Sequence, residues 1–112
     1  MKDKKIIISQ FAEDDLNEIA DYYNSLNPMF VERIISEFED NVYSLGKFPK
    51  SGRVVPELAR QGIERYRELI QEHYRIIYEI ADDYVIVHTI IDGRRNIDDI
   101  LISKLTRYYR GI

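Results

Sequence analysis

The chain has 112 residues, of which 45% are hydrophobic and 32% charged, with a net charge of −4 and no cysteine. This composition predicts one globular domain over residues 1–112, and it excludes a disordered chain, a disulfide scaffold and a thiolate metal site. No apolar run approaches the roughly 20 residues that cross a bilayer, and the amino terminus lacks the apolar stretch of a signal peptide. We therefore expect a cytoplasmic protein that has no membrane partner.

The first half of the chain predicts a strand followed by a helical hairpin. Residues 5–9 are rich in isoleucine and short, as in a strand. Apolar residues then recur at helical spacing, and Asn27-Pro28 provides an N-cap and a first helical position for a second helix that ends near Gly46. The apolar stripe of the first helix comprises Ala12, Leu16, Ile19, Ala20 and Tyr23.

The second half predicts a loop, three strands and a last helix. The loop covers residues 47–62, and the strands lie near 63–71, 73–81 and 84–91, separated by the turns 71–73 and 81–83. The last strand is apolar on both faces, as a central strand is. Residues 97–109 have helical spacing. The fold class is therefore α+β, in the order β-α-α-β-β-β-α, with an antiparallel three-stranded meander and the helical hairpin on one face. The other face has no helix except the C-terminal one to cover it, so we expect functional side chains there.

Charge is distributed unevenly along these elements. Residues 10–40 carry nine carboxylates and one cation, a balance of −8, whereas residues 94–110 carry five cations and two carboxylates, a balance of +3. An acidic chain is a poor general nucleic-acid binder, so we expect no direct sequence-specific binding to nucleic acid. The basic end has two interpretations, which are a solvated tail and a contact for a phosphate or an acidic partner.

Four segments in order resemble the RelE/ParE superfamily of toxins from type II toxin–antitoxin systems, and they resemble the ParE branch more than the RelE branch. The segments are DLNEIADYYNSLNP, LGKFPKSGRVVPEL, RELIQEHYRIIYEI and VIVHTIIDGRR. The resemblance implies the toxin of a plasmid stabilisation system and a cognate antitoxin encoded beside it. ParE-like members poison DNA gyrase, whereas RelE-like members cleave mRNA in the ribosome.

The residue chemistry favours the first of these activities. Metal-free RNA cleavage needs a base, an acid and cations around the phosphate. RelE-like members often have a tyrosine or histidine just after the final arginine, but here Arg95 is followed by Asn96, Ile97, Asp98 and Asp99. We therefore assign no catalytic residue, and we expect no metal and no cofactor. The leading hypothesis is a gyrase inhibitor, and the alternatives are a ribosome-dependent endoribonuclease and a non-toxic partner-binding member of the family.

Four arginines are the candidates for contact with a target or partner: Arg67, Arg75, Arg94 and Arg95. Arg75 alternates away from its apolar neighbours in the strand, so we expect it to share an open sheet face with Arg94 and Arg95. In the alternative interpretation, Arg75 pairs with Glu68 or Glu79 and braces the sheet.

Two tyrosine pairs and one histidine complete the candidates. Adjacent helical tyrosines point about 100° apart, so in each pair, 22–23 and 108–109, one tyrosine can pack in the core and the other can make a contact. Core packing is the default, and an outward tyrosine is a candidate for antitoxin docking. The sequence does not identify the antitoxin-binding residues further. His88 lies in mid-strand, which favours a hydrogen-bonded structural role.

Overall fold

The computed structural model describes residues 2–94, 100–101 and 103–105. Residues 100–101 and 103–105 are helical, so the expected C-terminal helix is confirmed at these positions, and the rest of 97–109 lies outside the described residues. The α+β fold class is confirmed. The other elements are β1 (Lys5–Ile8), α1 (Gln10–Asn24), α2 (Pro28–Ser44), β2 (Arg53–Val54), α3 (Pro56–Ala59), β3 (Tyr66–Gln71), β4 (Tyr74–Ile80) and β5 (Tyr84–Asp92).

Both long helices begin at side chains that cap them. The Ser9 hydroxyl accepts a hydrogen bond from the backbone N–H of Ala12 at 3.1 Å, and it donates to the carbonyl of His88 at 2.9 Å, which ties α1 to β5. The Asn27 side chain accepts from the N–H of Phe30 at 3.2 Å, and Pro28 occupies the first turn of α2. The predicted start of the second helix is therefore confirmed, because Asn and Pro take the roles that their chemistry favours.

The five strands form one mixed sheet in the order β1-β5-β4-β3-β2. β1 is parallel to β5, and β3, β4 and β5 form the predicted antiparallel meander. The prediction that the last strand lies inside the sheet is confirmed. β2 and α3 were not predicted, because they are two and four residues long and lie within the proline- and glycine-containing loop.

Each face of the sheet has its own apolar cluster. The hairpin-side cluster lies under α1 and α2 and includes Ile34, Phe38, Ile76, Tyr78 and Val87. The opposite cluster joins the loop, the sheet and the C-terminal helix, and its buried members are Val55, Leu58, Tyr66, Ile77, Ile91, Leu101 and Leu105. Leu101 and Leu105 of the C-terminal helix therefore pack on the second face, which is more covered than the sequence predicts. No helix within the described ranges is long and apolar enough to cross a membrane.

A buried carboxylate binds the backbone of β5 beyond the last residue that pairs with β1. The pairing with β1 stops at Val87, and Asp15 of α1 then accepts a hydrogen bond from the N–H of Ile90 at 3.1 Å. The same carboxylate accepts from the hydroxyl of Thr89, and it pairs with Lys104 of the C-terminal helix at 2.6 Å. Asp15 thereby links α1, β5 and the C-terminal helix.

The loop before β2 is fastened to the sheet by Tyr78. Its hydroxyl donates to the carbonyl of Pro49 at 2.7 Å and accepts from the N–H of Gly52 at 3.0 Å. A side chain at position 52 would overlap the Glu68 carbonyl and the Tyr78 hydroxyl, so only glycine fits there. This attachment determines where the cations of the loop are presented.

Candidate functional site

Arg94 lies at the rim of the sheet, just after β5. Its side chain is 66% exposed and forms a bidentate pair with Asp92, with Nε–Oδ1 at 3.0 Å and Nη2–Oδ2 at 2.8 Å. The guanidinium lowers the pKa of Asp92 to about 2. Arg94 is therefore exposed, as predicted, and its orientation is set by a carboxylate that stays ionised. Arg95 lies outside the described residues, and its placement stays a prediction.

The rim beside Arg94 is built from the ends of β4 and β5. The N–H of Gly93 donates to the carbonyl of His73 at 2.7 Å, and His73 Nε2 lies 4.0 Å from Asp92 Oδ2. Burial and a hydrogen bond with the Tyr23 hydroxyl raise the pKa of Tyr74. The Tyr74 phenol therefore stays neutral near Arg94.

A groove of about 470 Å³ runs between α1, the end of β5 and the C-terminal helix. We call it the rim groove. Its lining includes Glu18, Tyr22, Leu26, Tyr74, Arg94 and Lys104. Tyr22 and Leu26 are each 68% exposed, whereas Tyr23 is half-buried and packs against Phe30. The prediction that one tyrosine of this pair packs inward and the other faces outward is confirmed. The tyrosines at 108–109 lie outside the described residues.

Arg75 does not lie on an open face. Its side chain is only 9% exposed and holds two carboxylates: Nη1 and Nη2 each lie 2.7 Å from an oxygen of Glu57, and Nε lies 2.5 Å from Glu68. Arg53 binds the other oxygen of Glu68 at 2.6 Å. The expectation that Arg75 joins Arg94 on an uncovered surface is wrong, because α3 places Glu57 over it. The alternative pairing with Glu68 is confirmed.

Arg67 lies on the other face of β3 from Glu68. Leu69, two residues further along the strand, packs into the hairpin-side cluster, and side chains alternate along a strand. The Arg67 side chain is half-buried and donates through Nη1 to the carbonyl of Gly52 at 2.8 Å. Arg67 and Arg75 therefore face opposite sides of the sheet, so the three candidate arginines that the structure describes do not form one cluster.

His88 has the structural role that the sequence predicts. Its ring is 1% exposed, and Nε2 lies 2.8 Å from Glu79, so Glu79 pairs with His88 rather than with Arg75. Burial lowers the pKa of His88, and the nearby Glu79 carboxylate opposes this shift. Within the part of the chain that the structure describes, no three His, Cys, Asp or Glu side chains are grouped as metal ligands.

Two carboxylates that organise the site were missed by the sequence reasoning. Asp15 lies three residues after Ala12 and four before Ile19, so helical spacing puts it on the apolar face of α1 and indicates that it faces the sheet. Glu57 follows Val55-Pro56, and proline at a helix start was a signal for a short helix there. Neither signal names the partner of the carboxylate.

The ion pair with Arg75 predicts an acid-dependent loss of stability. Hydrogen bonding to Arg75 lowers the pKa of Glu57 from its ordinary value of 4.5 to about 2. Between these values the unfolded chain binds more protons than the folded chain, so stability is lost as the pH falls through this window. The slope of unfolding free energy against pH reports how many protons the chain binds on unfolding. We expect Glu57→Gln to reduce this number by up to about one in the same pH window. Urea unfolding at several pH values measures the slope, and an unchanged slope would contradict the assignment.

The comparisons with known proteins agree with this architecture. A structure titled as the chromosomal ParDE TA system from P. aeruginosa matches with a TM-score of 0.65 at 17% identity, covering 80% of this chain and 95% of that one. The toxin–antitoxin complex RelBE2 from Mycobacterium tuberculosis matches with a TM-score of 0.55 at 16% identity, covering 80% and 98%. A comparison with curated proteins finds no match. The fold is thus that of chains found in toxin–antitoxin systems.

The family follows from the sequence model that matches residues 6–97, which describes the ParE toxin of type II toxin–antitoxin systems. Because this match covers most of the chain, the chain belongs to the ParE toxin family.

Proposed function

We propose that this protein is a cytoplasmic toxin that inhibits DNA gyrase by binding and is neutralised by a cognate antitoxin. Membership of the ParE toxin family supports the toxin role. The observation that carries the choice of mechanism is the engagement of Arg75 by Glu57 and Glu68. We assign Arg94 to the contact with the target, and we assign the adjacent Arg95 to the same contact.

The pairing of Arg75 opposes a ribonuclease mechanism at the centre of the sheet. Phosphoryl transfer needs cations aimed at the charge that develops on the phosphate. Arg75 directs Nε, Nη1 and Nη2 at carboxylate oxygens within 2.7 Å. A substrate phosphate that binds Arg75 would have to displace either Glu57 or Glu68, and both carboxylates would repel it. These contacts favour a protein that acts by binding, with the rim arginines as its contact groups.

Expression in bacteria without antitoxin tests the proposed function. We expect filamentous cells and an induced DNA-damage response, while incorporation of a labelled amino acid continues at first. Both signals are followed from the time of induction, and coexpression of the protein encoded by the neighbouring gene is expected to abolish them. Rapid arrest of translation, with cut mRNA in purified ribosomes, would instead establish the endoribonuclease alternative.

The rim groove is the surface that we assign to the antitoxin. It combines the exposed apolar side chains of Tyr22 and Leu26 with Glu18 and the acidic outer surface of α1. An antitoxin segment with apolar and basic side chains complements such a surface. Because Arg94 lines the same groove, a segment that fills it also covers the group that we assign to the target. Antitoxin binding and target binding then exclude each other.

The double variant Tyr22→Ala/Leu26→Ala tests this surface. Both side chains are mostly exposed, so the unfolding free energy should change little, whereas truncating two apolar contacts should weaken antitoxin binding by about 100-fold. Ile70→Ala is the matched control, because Ile70 is 54% exposed on β3, outside the groove. Calorimetric titration with the protein encoded by the neighbouring gene measures the affinity. Equal affinities for the double variant and the control would contradict the assignment.

A further inference from the structure

A second positive region of the chain covers residues 47–67, which contain the edge strand β2 and the segments before and after it. Residues 47–67 contain six cations and two carboxylates, a balance of +4 in a chain whose net charge is −4. Arg67 is half-buried, and the other five cations are exposed. We call this region the basic edge, and its cations are Lys47, Lys50, Arg53, Arg60, Arg65 and Arg67.

The two glutamates that Arg75 binds do not cancel the charge of this edge. Glu57 and Glu68 are held by Arg75, which comes from β4, and Arg53 takes the remaining oxygen of Glu68. These two arginines and two glutamates form a neutral set. Within residues 47–67 the other five cations are then accompanied by one further carboxylate, Glu64. The segment therefore keeps its positive excess.

The backbone on either side of Lys50 is fastened to the sheet. The hydroxyl of Tyr78 binds both Pro49 and Gly52, and Arg67 donates to the carbonyl of Gly52. A cation on such a backbone loses less freedom when it binds an anion than one on a free loop. The edge is therefore preorganised to bind a ligand that has several negative charges.

The acidic helical hairpin keeps a polyanion away from its own side of the molecule. The helical hairpin contributes a balance of −8 over residues 10–40, and its acidic side chains other than Asp15 are mostly exposed. A chain of phosphates is repelled from the hairpin and attracted to β2, which favours one binding orientation. Phe48 adds a ring that is 59% exposed, with Lys47 Nζ 5.9 Å from its centroid. An exposed ring beside cations offers a base a stacking surface.

We propose that the basic edge binds the phosphodiester backbone of a nucleic acid without reading its sequence. Lysine and arginine that neutralise phosphates supply affinity of this kind, and contacts to the backbone carry no sequence information. The site is separate from the rim groove, because residues 47–67 contribute nothing to the lining of that groove. In this proposal Arg67 belongs to a binding surface, while Arg75 stays paired with Glu57 and Glu68.

Fluorescence anisotropy with a short labelled DNA duplex, and with an RNA strand of the same length, tests the proposal over a series of salt concentrations. The test variant is Lys50→Gln/Arg60→Gln, which removes two exposed cations that form no ion pair among the described residues. The control is Asn17→Asp/Ser36→Asp, which changes the net charge equally but adds it to exposed positions of the hairpin. Circular dichroism verifies that each variant is folded.

We expect the test variant to bind about 10-fold more weakly at low salt, with a slope of log affinity against log salt smaller by about two units. The control should stay within about twofold of the unmodified protein, because its added charge lies on the hairpin. Loss with both oligonucleotides identifies the shared backbone as the ligand, and loss with one identifies the nucleic acid that the edge accepts. Equal loss in test variant and control, or no binding by the unmodified protein at low salt, overturns the proposal. The assay contains neither gyrase nor antitoxin, so this failure leaves the proposed function standing.

Discussion

Replacement of Arg75 by alanine is expected to lower the free energy of unfolding by about 3–5 kcal/mol, because removal of one partner leaves buried charge without compensation. The substitution strands Glu68, whose side chain is fully buried, and Glu57, whose side chain is 18% exposed. It also removes the bidentate contact between Arg75 of β4 and Glu57 of α3. Urea unfolding followed by circular dichroism measures the change.

Arg94→Ala is the matched control for this experiment. It also removes an arginine that holds a carboxylate through two bonds, but the guanidinium is 66% exposed rather than 9%. Exposed ion pairs contribute about 0–1 kcal/mol to stability, so the unfolding free energy of Arg94→Ala should be close to that of the unmodified protein. Equal stability of Arg75→Ala and Arg94→Ala would show that the buried set does not brace the sheet. The triple variant Arg75→Met/Glu57→Gln/Glu68→Gln should recover stability relative to Arg75→Ala, because no buried charge remains unpaired.

Arg94→Ala is expected to have the opposite profile in function, with toxicity strongly reduced and the fold retained. An arginine that is desolvated against an acidic or phosphate partner is worth about 2–5 kcal/mol when truncated, which corresponds to a loss of affinity of at least ~30-fold. Arg95→Ala is expected to act in the same direction, on the sequence argument that it follows Arg94 at the rim. Growth after induced expression, at matched protein levels, measures the effect for each single variant.

Arg33→Ala provides the control for charge removal. Arg33 is an exposed arginine on α2, 50% accessible and paired with Glu37 and Glu72, so its loss changes the net charge as Arg94→Ala does. Cells that express Arg33→Ala should stop growing as those with the unmodified toxin do. If Arg94→Ala is fully toxic, or is inactive only because it unfolds, the rim arginine is structural and the site assignment is wrong.

The elements that the sequence predicted correctly are those determined by local chemistry. Asn27-Pro28 determines the start of α2, and the turns at 71–73 and 81–83 separate β3 from β4 and β4 from β5 within a few residues of the predicted limits. Apolar residues on both faces of β5 placed it inside the sheet, and the structure gives it β1 and β4 as neighbours. Hydrophobic period and turn chemistry act over a few residues, so they can be read from the chain.

The parts that the sequence did not predict depend on contacts between distant residues. Arg75 is buried because Glu57, 18 positions away, is carried over it by a helix of four residues. Alternation along β4 correctly separated Arg75 from Ile76, but it gives no information about what covers either face. Asp15 likewise meets Lys104 only because α1 and the C-terminal helix flank the same strand. Strand order and these pairings are tertiary properties, and no pattern within one element contains them.

A supercoiling assay with purified DNA gyrase tests the central claim most directly. We predict that the protein blocks supercoiling of relaxed plasmid, that Arg94→Ala requires at least ~30-fold more protein for the same effect, and that the protein encoded by the neighbouring gene restores the reaction. The Arg33→Ala variant should inhibit as the unmodified protein does. Unimpaired supercoiling at saturating concentrations of folded, toxic protein would contradict the account, and gyrase would not be the target.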